Sequence, residues 1–190
     1  MIDLNAVKQK ARLIVTDSVH TNWSDYEVDE ACEAAVNILV DSLVAVRSHL
    51  ITARAELEPD EDGAFPLPDD FIAVDRVRDN LGRTFDYRTR IDRYETYCIE
   101  KDRLIMQPDV VNVSLSYFAK PDVAVQDDGT LTLDLPDYFR DPLSRITASV
   151  LGNDYDAAEN LALKVCLTSR VREVGRYPLP PLWGGYNRYA

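Results

Sequence analysis

DYEVDEACEAAVNILVDSLVAVRSHL, residues Asp25 to Leu50, is the stretch on which the fold turns. Val28, Ala31, Cys32, Ala35, Val36, Leu39, Leu43 and Val46 recur at the 3.6-residue spacing of one helix face. Asp25 stands where an N-cap acid accepts from free amides, and Asp29, Glu30 and Glu33 follow near the positive end of the helix dipole. A stripe this long has to be buried, because a helix in water draws most of its stability from packing its apolar face.

Similar apolar stripes stand towards both ends of the chain. Upstream, Asp3 to Val15 places Leu4, Val7, Ala11, Ile14 and Val15 on one side, with Lys8, Lys10 and Arg12 elsewhere. Far downstream, Asp137 is read as the N-cap of a helix with Leu143, Ile146, Thr147, Val150 and Leu151 inward, ended by Gly152-Asn153. Asp154 then caps DYDAAENLALKVCLTSRVREVG, whose stripe is Ala158, Leu161, Ala162, Val165, Leu167 and Val171 and whose stop is Gly175.

Between these helices the period changes. ELEPDEDGAFPLPDD, Glu56 to Asp70, holds three prolines, a glycine and seven acids, and reads as a loop and lobe boundary. From Phe71 the alternation is of period two: FIAVDRVRD runs into a turn at Asp79 to Gly82, and YETYCIEKDRLIMQP is a hairpin about Lys101 and Asp102. VNVSLSYF then alternates Val111, Val113, Leu115 and Tyr117 against Asn112, Ser114 and Ser116, and Asp128-Gly129 marks one further turn. The expected architecture is α+β, an α-helical bundle formed by residues 1–55 and 136–175 with a small antiparallel β-sheet lobe inserted over 66–135. Leu39 and Leu161 are its expected deep core residues, and residues 176–190 form an extended C-terminal arm.

Composition bounds the function. Acids outnumber lysines and arginines 33 to 21, a net charge of −12, so most of the surface repels duplex DNA. The surplus is concentrated between Asp25 and Asp62, where 11 acids face only Arg47 and Arg54. No apolar run approaches the length of a membrane span, and MIDLNAVKQKARLIV has no secretory pattern, so a soluble, unexported chain with no membrane partner is expected. Cys32, Cys98 and Cys166 are widely spaced and odd in number, which suits reduced core residues better than a disulfide framework or zinc site.

Motifs of catalysis are missing from the sequence. It contains neither GxGxxG nor GxxxxGK[ST], no GxSxG elbow, and only His20 and His49 as histidines, both read as polar surface residues. DEDG at Asp60 to Gly63 lacks the spacing of a calcium loop, and Glu27, Asp29, Glu30 and Glu33 are acids of the kind that any helix N-terminus favours. No catalytic residue, metal or cofactor is assigned.

The C-terminal YPLPPLWGGYNRYA is different in kind. Tyr177, Trp183, Tyr186 and Tyr189, with Leu179 and Leu182, are anchor residue types in a segment without a single acid. Pro178 and its neighbours favour an extended path with little entropy left to lose on docking, and Gly184 and Gly185 allow a bend. These residues are read as an arm that grips a neighbouring subunit or a partner protein.

The order of features resembles that of the head-to-tail adaptor, or tail tubular, proteins of tailed bacteriophages, closest to those of short-tailed phages. It is carried by LPDDFIAVDRVRD leading the sheet, LTLDLPDYFRDPLSRITASVLG opening the paired C-terminal helices, and the WGGYN ending. The resemblance implies a structural, non-enzymatic virion protein. Its subunits would form a homo-oligomeric ring, commonly of twelve, between the portal protein and the tail nozzle or tube protein. The ring would sit at the head-tail junction after assembly in the host cytoplasm, and genome DNA would pass through during ejection without specific binding. Asp60, Glu61 and Asp62 are then candidates for an acidic, channel-facing surface, and the arm for binding the portal or a neighbour. Two rival readings are an intracellular hydrolase or carboxylate-metal enzyme at the helix-sheet junction, and a neck, completion or assembly factor of a long-tailed phage.

Overall fold

Ser24, rather than Asp25, begins the long helix. Its hydroxyl accepts from the Glu27 amide at 3.3 Å while the Glu27 carboxylate accepts from the Ser24 amide at 2.8 Å, a reciprocal box that satisfies two free donors. In the computed structural model, which describes residues 1–17, 22–88, 95–107 and 110–176, this helix, α2, spans Asp25–Ala45. It is preceded by α1, Leu4–Ile14, capped by Asp3. Near the other end of the chain lie α3, Arg140–Leu151, and α4, Tyr155–Arg176, the latter running through Gly175 rather than stopping at it. Asp154 accepts from the Ala157 amide at 3.0 Å, as expected of an N-cap. Asp137 is not the cap of α3: it opens a 3-10 turn, Asp137–Phe139, and receives the Arg140 guanidinium.

These four helices share one core. Val7 and Ala11 of α1, Leu39 and Leu43 of α2, Leu143 and Ile146 of α3, and Ala158, Ala162 and Cys166 of α4 are all buried in it, with α3 touching the other three helices. Leu161, expected to be deep, is only half-buried, and Leu167 is 52% exposed, because the small residues of α4 form its inner face. Arg12 was assigned to the polar side of α1, yet it is 4% exposed. One of its amino groups donates to Asp17 at 2.6 Å and to the Trp23 carbonyl at 2.8 Å, the other to Asp25 at 2.8 Å, so the guanidinium ties the end of α1 to the start of α2.

The strands overturn the expected architecture. They are β1 (Ile2–Asp3), β2 (Thr52–Leu57), β3 (Phe65–Pro66), β4 (Phe71–Asp79), β5 (Thr84–Tyr87), β6 (Thr96–Glu100), β7 (Arg103–Ile105), β8 (Val113–Ala119), β9 (Val123–Val125) and β10 (Leu131–Leu133). Seven form one sheet in the order β2-β8-β4-β5-β6-β7-β3, and three form a second in the order β1-β10-β9. The chain is therefore a mixed α/β fold in which a large sheet is a full partner to the helices, not a helical bundle carrying a small inserted lobe. The sheet is not wholly antiparallel, since β5 and β6 run parallel with Asp86 opposite Thr96.

What enlarges the sheet is TARAEL. Its alternation lies between a helix and an acid-rich stretch and is too short to be conspicuous, yet all six residues of β2 pair with β8, from Thr52 opposite Phe118 to Leu57 opposite Val113. The sheet then curls about a core of its own, to which every strand contributes: Leu57, Phe65, Val77, Phe85, Tyr97, Leu104 and Leu115 are all buried there. The hairpin expected about Lys101 and Asp102 is present as β6-β7, and the Asp79 to Gly82 turn joins β4 to β5.

Two stability outcomes follow. Leu39→Ala, at a fully buried site, is expected to cost about 2 to 5 kcal/mol in urea unfolding, and Leu161→Ala distinctly less. Asp17→Asn leaves the buried Arg12 charge with the exposed Asp25 as its remaining carboxylate, and the same measurement is expected to show a loss of up to about 3 kcal/mol.

Candidate functional site

One face of the large sheet is covered only in part. Along β8, Phe118 packs into the helical core, while Ser116 and Ser114, two and four residues back and so on the same face, lie beyond the helices. Pairing on either side sets rows across three strands: Arg54, Ser116 and Arg76 in one, and Glu56, Ser114 and Arg78 in the next. The result is a recess of about 240 Å³ lined by His49, Thr52, Arg54, Asp75, Arg76, Arg78, Ser114 and Ser116.

A bulge shapes its floor. The β4-β8 register shifts between Val74 and Arg76, which leaves Asp75 as the extra residue and re-aims its side chain. Asp75 accepts from Arg47 at 2.6 Å and from the Ser116 hydroxyl at 3.3 Å. Burial pushes its carboxyl up, but the Arg47 guanidinium, the Ser116 hydroxyl and the nearby Arg76 charge outweigh that and hold it below the usual carboxylate range.

The chemistry of the recess lies in its cations. Arg12, Arg47, Arg83, Arg103, Arg140 and Arg145 each form an ion pair with at least one aspartate. Arg54, Arg76 and Arg78 are exposed and form neither an ion pair nor a hydrogen bond among the described residues. In a chain with net charge −12, three adjacent exposed guanidinium groups outside any ion pair, with only Arg76 near the Asp75 carboxylate, form a distinct cationic surface, and the serine hydroxyls between them add donors.

Of the residues singled out by sequence, His49 lines the recess, while Asp60, Glu61 and Asp62 do not. Tyr177, Pro178, Leu179, Leu182, Trp183, Gly184, Gly185, Tyr186 and Tyr189 are outside the described residues, as is His20. Asp60, Glu61 and Asp62 lie in the connection from β2 to β3. Arg103 of β7 brings two of them together, at 3.2 Å from Asp60 and 3.1 Å from Asp62, and Asp60 also accepts from the Asp62 and Ala64 amides, while Glu61 is exposed. Of the acids at the start of α2, Glu27 caps, Asp29 pairs with Lys8 at 2.7 Å, and Glu30 receives the Tyr26 hydroxyl. Cys32, Cys98 and Cys166 are buried and reduced, and burial pushes the Cys32 thiol up to about 11, which leaves it an unreactive core residue. Among the described residues no three His, Cys, Asp or Glu side chains come together as a metal site would need, and no helix is long and apolar enough to cross a membrane.

The arginine recess escaped the sequence reading, although half of its signal is visible there. Arg76 and Arg78 are spaced i, i+2 in an alternating run, which places them on one strand face. Arg54 carries no such signal until TARAEL is known to be a strand beside β8. Neither the model of a known protein family nor any curated protein matches this chain.

The Asp75 linkage gives a pH outcome. Its folded carboxyl titrates below the ordinary value of 3.8, so the stabilisation it gives is complete above that pH and is lost as pH falls through the folded value. Urea midpoints of the parent and Asp75→Asn are therefore expected to differ most near neutrality and to converge as pH falls below about 4.

Proposed function

We propose that the chain is a subunit of a phage head-to-tail adaptor ring, a structural protein that joins the portal to the tail and lines the path of the genome. The observation that carries this reading is that unlike faces of the protomer are left short of partners. Strand β9 is the edge of its sheet and has Val123 50% and Val125 70% exposed, where a lone protein would guard an edge with charge. Helix α4 exposes Leu163 and Leu167 on another face, and the arginine recess opens on a third. A subunit that packs between two copies of itself in a ring needs unlike faces for its two neighbours, since head-to-tail contacts are not self-complementary. One that also bridges two other proteins needs more.

The remaining features suit the same role. Acid surplus on the channel side would let DNA slide, because fixed cations there would hold phosphates and slow ejection. The segment from Tyr177 to Ala190 follows directly on α4 and brings aromatic anchors, whose single contacts a ring multiplies.

Removal of residues 177–190 is expected to leave the circular dichroism of the protein nearly unchanged and to abolish attachment to portal rings, seen by electron microscopy of the mixture. Trp183→Ala alone is expected to weaken attachment by about 2 kcal/mol or more per site. Normal portal attachment by the truncated chain would refute the arm, and absence of any attachment by the full chain would refute the adaptor reading.

A further inference from the structure

We infer that the arginine recess on the sheet of one copy docks the acidic groove between α2 and α4 of a second copy. The inference takes from the adaptor reading only that copies pack head to tail, and it names the two surfaces that meet.

The groove is the recess's counterpart in charge. Ile38, Asp41, Ser42 and Ala45 of α2 and Glu159 and Leu163 of α4 line it. Asp41 and Glu159 are exposed, and among the described residues neither forms an ion pair or a hydrogen bond. Most of the other cations of the helical layer, Lys8, Lys10, Arg12, Arg140 and Arg145, are already engaged with aspartates. Among the described residues the protomer thus holds three exposed arginines outside any ion pair on one surface and two exposed acids outside any ion pair on another.

Spacing supports the match. Arg54 and Arg76 flank Ser116 on adjacent strands, so their backbones stand two strand steps apart, about 9.5 Å. Asp41 and Glu159 stand on two packed helices, whose axes are about 8 to 10 Å apart. Each carboxylate can meet one guanidinium of the first row, which leaves Arg78 at the rim. Leu163, 41% exposed beside Glu159, then lies over the contact and excludes water from it, which strengthens the charge pairs. At physiological salt the repulsion between two chains of net charge −12 is screened beyond about 8 Å, so the local match decides.

A nucleic-acid backbone fits the same face less well. Duplex DNA presents a charge every 1.7 Å or so along its axis. Over a face this size some phosphates would fall on Glu56, beside Ser114 in the second row, and on Asp75 in the floor. Two carboxylates at helix spacing meet only the arginines.

Charge reversal on each side, followed by mixing, tests the inference. Sedimentation velocity at physiological salt, about 0.15 M, and at protein concentrations up to about millimolar is expected to show self-association of the parent that weakens as salt is raised further. It is expected to be lost in Arg54→Glu/Arg76→Glu/Arg78→Glu and equally in Asp41→Arg/Glu159→Arg, with unchanged circular dichroism. An equimolar mixture of the two variants regains complementary faces on both contacts, and association is expected to return to within about tenfold of the parent. A parent that stays monomeric, an arginine variant that associates as the parent does, or folded variants that fail to associate when mixed would each overturn it. So would duplex DNA retarded by the parent and not by the arginine variant in a gel shift, which would assign the recess to phosphates. Arginine-reversed protein that still assembles as a ring on portal removes this interface and leaves the adaptor reading standing. Parent protein that associates through these faces but never attaches to portal does the reverse.

Discussion

Tyr117 and Phe118 are consecutive residues that belong to different cores. Tyr117 faces the interior of the curled sheet and Phe118 the interior of the helical layer, as the alternation of a strand requires. β8 is therefore buried on both faces at one end, with β2 and β4 hydrogen-bonded along its edges. β4 joins the two cores beside it, with Ile72 and Ala73 against the helical core and Val77 in the sheet core, and a slip of β8 by one residue would send each aromatic ring to the wrong side. The arginine recess is the remainder of that arrangement. Where the helices stop short of Ser116 and Ser114, the face that holds Phe118 opens to solvent, and the residues on it are free to carry charge.

The helical layer has its own fixed point in Arg12. A guanidinium at 4% exposure among Asp17, Asp25 and the Trp23 carbonyl is stable only while all of its partners are present, because an unpaired charge there would meet a large desolvation penalty. On the same helix, Val7 and Ala11 lie in the core shared with α3, and Lys10 donates to Asp141. Polar specificity and apolar packing thus act on the same junction.

Long-period patterns were legible in the sequence and local ones were not. The stripe from Val28 to Leu43 identifies α2, and the alternation in FIAVDRVRD and VSLSYF identifies β4 and β8, because each repeats enough to exceed chance. TARAEL repeats only three times beside acid-rich sequence, and the two-residue β1 and β3 offer no periodicity at all, so the extent of the sheet and the fold class were misjudged. Arg12 looked like a surface cation because burial of an arginine depends on acids that only the fold assembles. The recess depends likewise on a bulge at Asp75 and on which strands are neighbours, and neither is written in any single segment.

The second sheet bears on the order in which the molecule can form during synthesis. Ile2 pairs with Leu133, and α1 and α2 pack on α3, which begins only at Arg140. The ribosome thus delivers the apolar faces of the first two helices well before the surfaces that cover them. The large sheet between Thr52 and Ala119 is complete in the meantime and can close on its own core. Folding during synthesis is then expected to run sheet first and helical layer last, since contacts distant in sequence bear the larger loop-closure entropy. In that interval Leu39 and Leu43 face solvent, and the nascent chain is most exposed to misassociation just before its last two helices emerge.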